Sequence, residues 1–199
     1  MKSICLLSRR EGLSRQEFHD YYEHNHAPLA VKFFPFRRYI RNHVVGAPDL
    51  GFDTISEFWA DDTAALAAMM DGPVGERLRE DEQRFMDRSK IAPASAGEQV
   101  LSPGELSTER YALLLNGAGD DTAIIDWARH LAAQTAGVSI DLVTSWQQPA
   151  FPARAVLWTP DISGVAELPT SLTAQTVRVR SCETPAQALT ATINADSQH

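Results

Sequence analysis

The 199-residue chain carries only two cysteines, Cys5 and Cys182, near opposite ends and with no C-x-x-C pair or Cys/His run at zinc-ligand spacing. A disulfide-stapled scaffold and a zinc module are thereby excluded, and a reduced, cytoplasmic protein is expected. No apolar run approaches the roughly 20 residues that span a bilayer. The apolar stretch Ile4–Leu7 also precedes Arg9-Arg10 instead of following it, the reverse of an export signal. Basic charge is short: 18 Lys and Arg against 26 Asp and Glu leave a net charge of −8, the wrong sign for a nucleic-acid or anionic-membrane surface. A phosphate loop, a dinucleotide fingerprint and a nucleophile elbow are all missing. Small-molecule or protein partners remain.

What is present is globular composition, 44% hydrophobic and 22% charged. Ile4–Leu7 reads as a buried strand ending in a polar turn. Ser14-Arg15-Gln16-Glu17 is a capping box, with Leu13 and Phe18 placed to close a hydrophobic staple over it. Phe18, Tyr22, His26 and Leu29 then recur at helical spacing, and Pro28 predicts that the helix fails near His26. Arg38–Val45 and Phe52–Trp59 read as a hairpin around Gly46-Ala47-Pro48-Asp49. Asp61 and Asp62 offer a cap for a helix with Leu66, Met69 and Met70. After Gly72-Pro73 a second stripe carries Leu78, Asp81, Glu82 and Phe85. Glu98–Leu101 supplies a last strand. This order is the ferredoxin-like split β-α-β pattern.

Residues 102–107 read as a linker, separating a first unit, 1–101, from a weakened copy, 108–199. Tyr111–Leu115 mirrors the first strand, and Asp121 caps a helix with Ile124, Ala128, Leu131 and Thr135 on one stripe. Val138–Trp146, Arg154–Trp158 and Thr176–Val179 read as strands. Between Pro160 and Pro169 there is room for a short helix at most, and the residues after Glu183 read as a frayed tail. The expected fold is α+β: two ferredoxin-like units whose antiparallel sheets pack as an intrachain pseudo-dimeric α+β barrel.

His26 is the first chemical candidate. Burial favours its neutral ring and the helix end favours the imidazolium, a balance suited to a general acid or base. The alternative is a core histidine that seals the Pro28 break. Period-two alternation puts Tyr39, Arg41 and His43 on one strand face, where Tyr39 and His43 would orient or polarise a carbonyl or phenolic oxygen. Glu57 approaches His43 or Tyr39 if the hairpin registers agree; otherwise Arg41, His43 and Glu57 form a polar seam between the sheets. Asp81 or Glu82 faces inward, as a helix-to-sheet structural pair or a catalytic acid. Phe18, Tyr22, Phe58, Trp59 and Met70 are candidate walls of a substrate pocket. His24 and His26 lie on opposite sides of a helix, so no metal is expected.

Leu6 to Arg10, Leu13-Ser14-x-x-x-Phe18, His26-Ala27-Pro28, Arg38-Tyr39-x-x-Asn42-His43-Val44, Glu57-x-Trp59 and Asp81-Glu82-x-x-Phe85 together resemble the EthD family of dimeric α+β barrels. The resemblance spans residues 2 to 101 and implies a pseudo-dimer with one functional pocket, because the second half has no counterpart of His-Ala-Pro. The expected function is cofactor-independent proton-transfer chemistry, a dehydration, cyclisation or isomerisation, on an apolar oxygenated small molecule such as a polyketide or aromatic-derived intermediate. The alternatives are a cofactor-free or haem-dependent monooxygenase, haem needing a single axial histidine, and a non-catalytic binding protein. The assembly reads as a monomeric pseudo-dimer or a homodimer.

Overall fold

Residues 1–46, 49–62, 68–118, 120–163 and 168–189 are described by the structure, a computed structural model. Strand β1 (Lys2–Leu7) turns at Gly12 into helix α1 (Arg15–Tyr21). Ser14 caps α1 as the capping box requires: its Oγ accepts from Glu17 N at 3.2 Å, and its own N–H donates to the Glu17 carboxylate at 2.8 Å.

The helix does not fail at His26. It widens into a π-helical turn, Tyr22–His26, and resumes as α2 (Ala27–Phe33). Ala27 N–H reaches back five residues to Tyr22 O, and this wider turn accommodates Pro28, which has no N–H to donate. The extra residue shifts the buried stripe by one, so that Phe18, Tyr22, His26 and Ala30 face inward and Leu29 is only half-buried.

Strands β2 (Arg38–Val44) and β3 (Thr54–Trp59), helix α3 (Pro73–Phe85) and strand β4 (Ala92–Ser102) complete the first half. The second runs β5 (Glu109–Gly117), helix α4 (Thr122–Ala132), β6 (Val138–Ser145), β7 (Ala155–Thr159) and β8 (Leu172–Glu183). β4 starts well before the expected Glu98, because Ala92, Ala94 and Ala96 alternate into the barrel interior. Parts of several expectations lie outside the described residues: Ala47-Pro48 in the hairpin turn, Leu66, residues 164–167 of the Pro160–Pro169 segment, and the tail from 190.

Within each half the strands are ordered alike, β4-β1-β3-β2 and β8-β5-β7-β6. Edges β2 and β8 pair antiparallel, as do β4 and β6, and an eight-stranded barrel closes with no exposed edge. Ile4, Ile55, Val156, Trp158 and Val177 fill a core shared by both halves. α1, α2 and α3 cover the outer face of the first sheet, and α4 covers the second.

Each strand also contributes one side chain to a polar layer across the barrel: Lys2, Asn42, Glu57, Glu98, Arg110, Asp141, Trp158 and Ser181. Lys2 Nζ lies 2.7 Å from Glu57, 2.9 Å from Glu98 and 2.8 Å from Asp141. Arg110 pairs with Glu57, donates to Asn42 and Ser181, and stacks over the Trp158 ring. Trp158 Nε1 donates to Asp141 at 2.8 Å.

Candidate active site

Helices α1 to α3 do not fill the space above the first sheet. A cavity of about 280 Å³ remains, close to the lower end of the volumes that hold small ligands. Its floor is the outward row of the sheet, with Cys5 and Leu7 of β1, Tyr39 of β2 and Phe58 of β3. His26 and Ala30 reach it from the π turn and α2, Leu78 and Glu82 from α3. The walls are overwhelmingly apolar.

The π turn aims the His26 ring at α3. Nδ1 lies 2.8 Å from Asp81 Oδ2, and Tyr21 Oη donates to Asp81 Oδ1 at 2.7 Å. Phe85, one turn along α3 from Asp81, flanks the imidazole at 5.1 Å between ring centroids. The Nε2 atom makes no hydrogen bond among the described residues, and His26 lines the cavity. Burial acts to raise the Asp81 carboxyl, but the bonds from His26 and Tyr21 outweigh it and hold Asp81 below the ordinary range. A carboxylate that fixes one ring nitrogen leaves the other as the reactive one.

Glu82, the next residue, has the opposite tendency. Burial pushes its carboxyl above the ordinary value, with His26 and the Arg88 guanidinium, 2.9 Å away, pulling the other way. One apolar chamber thus holds a carboxylate-supported imidazole and a carboxyl inclined to keep its proton. At the floor, Tyr39 Oη donates to Tyr22 Oη at 2.9 Å, and Tyr22 shares a 2.8 Å bond with Ser56 Oγ. Burial drives both phenols upward, so both remain neutral.

Residues 10–89 match the family model described as EthD domain. The matched stretch lies within the first half of the barrel. An EthD-family protein from Bacillus halodurans is 22% identical, covering 48% of this chain and 97% of its own, with a TM-score of 0.37. Two further solved structures match the whole barrel. A candidate monooxygenase from Lactobacillus acidophilus has a TM-score of 0.56 at 11% identity, covering 93% of this chain and 95% of its own. A candidate chlorite dismutase has a TM-score of 0.52 at 10% identity, covering 96% and 97%. These likenesses show the α+β barrel fold alone. No curated protein matches the chain.

Of the residues singled out in the sequence, the first half brings His26, Tyr39, Tyr22, Phe58 and Met70 to the cavity. His43 does not line it. Its Nδ1 bonds Thr54 Oγ1 at 2.7 Å and its Nε2 bonds Glu23 at 2.6 Å, so both nitrogens are committed one layer away, beside His19. Glu57 is further off. Ile40 stands opposite Glu57 and Tyr39 opposite Phe58, so the register turns Glu57 into the barrel, on the opposite face from Tyr39 and His43. Trp59 shares that inward parity and sits at the barrel rim, where its Nε1 donates to Glu98 at 3.0 Å. Phe18 packs behind the cavity against Phe85, at 5.3 Å. Trp146 lines the cavity from the second half and was not singled out, because nothing local to it marks a site.

Among the described residues, Glu23, His43 and Cys182 bring a carboxylate, a ring nitrogen and a thiol within 4.8 Å. Glu23 is already bound by Arg41, at 2.6 and 2.9 Å, and its contact with His43 has hydrogen-bond rather than shared-ligand spacing. No helix among the described residues is long and apolar enough to cross a membrane.

Proposed function

We propose that the chain is a cofactor-independent enzyme that moves protons on an apolar, oxygenated small molecule, in a dehydration, cyclisation or isomerisation. The observation that carries this reading is the Asp81–His26 dyad on the wall of an apolar cavity, with the second ring nitrogen free of hydrogen bonds among the described residues. In such a site the Nε2 lone pair removes a proton from a carbon next to a carbonyl. Asp81 stabilises the imidazolium that results, as a buried carboxylate does behind a catalytic histidine. Glu82, whose carboxyl burial pushes above its ordinary value, is the group placed to return a proton elsewhere on the ligand, to a leaving hydroxyl or a second carbon. Tyr22, which accepts from Tyr39 and shares its other bond with Ser56, turns its hydroxyl proton to the ligand oxygen at the floor, and the apolar walls exclude water, which strengthens each of these interactions.

2-Tetralone, a bicyclic aromatic ketone with exchangeable α-protons, tests the base. The wild type accelerates α-deuterium exchange in D₂O, followed by proton NMR, and His26→Gln does not while keeping the wild-type circular dichroism. Unchanged acceleration by the variant rejects His26 as the base. The second reading is a cofactor-free oxygenase on the same cavity, favoured by the whole-barrel match to a candidate monooxygenase. Oxygen uptake that depends on substrate selects it, and a Soret band in purified protein would select a haem-dependent form.

A further inference from the structure

Barrel closure gives the first-half cavity a wall from the other half of the chain. On the outer face of the sheet, Cys5 of β1 stands opposite Pro93 of β4, while the next residue, the inward-facing Ala94, stands opposite Ser145 at the end of β6. The next residue, Trp146, falls beside Pro93, to whose carbonyl its backbone N–H donates at 3.3 Å. Both Pro93 and Trp146 line the cavity. The connection after Trp146 is anchored, because Phe151 N–H donates to Ser145 Oγ at 2.9 Å and the Phe151 ring is buried in the barrel core. The indole itself is 56% exposed, and its N–H makes no hydrogen bond among the described residues.

The cavity therefore runs across the strands β2, β3, β1, β4 and β6, from Tyr39 to Trp146. At about 4.8 Å between strands that is roughly 19 Å, so a volume of about 280 Å³ forms a long, thin slot. Phe34, Phe36, Tyr39 and Phe58 crowd its β2 side with aromatic faces. The corresponding space in the second half is packed by Leu113, Leu115, Ile124, Trp127 and Leu131.

We propose that Trp146 is a specificity-determining residue that stacks on flat, fused-ring aromatic ligands at the mouth of this slot, and that supplying it is a functional contribution of the second half. This rests on the cavity being the substrate site. A large apolar ring held by a fixed backbone, with its face free at the edge of an aromatic slot, selects planar ligands over saturated ones of the same size. Offset stacking rewards a π-face, and apolar burial alone rewards both.

Calorimetric titration with 2-naphthol and with its saturated counterpart, decahydro-2-naphthol, tests this on the full chain. The wild type binds both. Trp146→Ala binds 2-naphthol about five- to tenfold more weakly, the scale of one aromatic contact, and decahydro-2-naphthol within twofold. Trp146→Phe restores most of the 2-naphthol affinity. The indole is exposed, so the melting temperatures of both variants match the wild type. Unchanged 2-naphthol affinity in Trp146→Ala, or an equal loss for both probes, overturns the role of Trp146 while the cavity reading stands. A wild type that binds neither probe overturns both.

Discussion

His26 Nδ1 and Asp81 Oδ2 meet at 2.8 Å across the gap between the π turn and α3, with Tyr21 on the far carboxylate oxygen. Asp81→Asn replaces the charge that stabilises imidazolium with a neutral amide that also permits the other tautomer. The expected outcome is a fall in 2-tetralone exchange rate of about 100-fold or more, within the range of positioned acid–base catalysis, with an unchanged circular dichroism spectrum. Rates are compared at saturating ketone, so that the loss is in turnover and not in binding.

Glu82 is inclined by burial to stay protonated above the usual carboxylate range. If its protonated form is the acid, catalysis declines as pH rises through that elevated value, because the donor is lost. Glu82→Gln removes this alkaline limb and lowers the plateau. A pH–rate profile of wild type and variant checks it, the limb being present in one and absent from the other.

In the barrel layer, burial works against the charge of Glu57, yet Arg110 and Lys2 hold its pKa down to about 2. The folded form keeps the carboxylate ionised below the ordinary value of 4.5. Its contribution to stability is therefore complete above about pH 4.5 and is lost as pH falls toward 2. Glu57→Gln leaves Arg110 without its buried counter-charge and lowers the unfolding free energy by about 3 kcal/mol, measured by urea denaturation at pH 7. Turnover at the cavity, on the opposite sheet face, changes little.

His19 runs with the opposite charge. Burial, and then the neighbouring His43, push its pKa down to about 4 from 6.5, against the pull of Asp53. Between those values the unfolded chain takes up a proton that the folded one refuses, so this group lowers stability as pH falls from 6.5 toward 4. His19→Gln removes that component. The gap between the melting temperatures of variant and wild type shifts in favour of the variant across this window, read by differential scanning calorimetry.

Much of the fold is written in short-range pattern, and the departures arise where long-range geometry decides. The capping box at Ser14 needs four residues and forms as read. The π turn is invisible to a 3.6-residue period, so Pro28 reads as a helix end although the chain absorbs it and continues. Alternation correctly groups Tyr39, Arg41 and His43, but only the register between β2 and β3 decides that Glu57 faces the other way. The alanines at 92, 94 and 96 lack the bulk that marks a strand in sequence. His26 was legible from its stripe. Its coupling to Asp81 depends on how α3 packs over the π turn, and Trp146 reaches the cavity only because β6 closes on β4. No local window contains either relation.

The central claim is that His26 Nε2 is the group that meets the ligand, and a crystal structure with 2-tetralone bound tests it most directly. The account requires the ketone in the slot above Tyr39 and Phe58, with an α-carbon within about 3.5 Å of Nε2 and the Asp81 bond to Nδ1 intact. A ketone lodged elsewhere, or an imidazole turned from the cavity toward bulk water with the ligand in place, contradicts it.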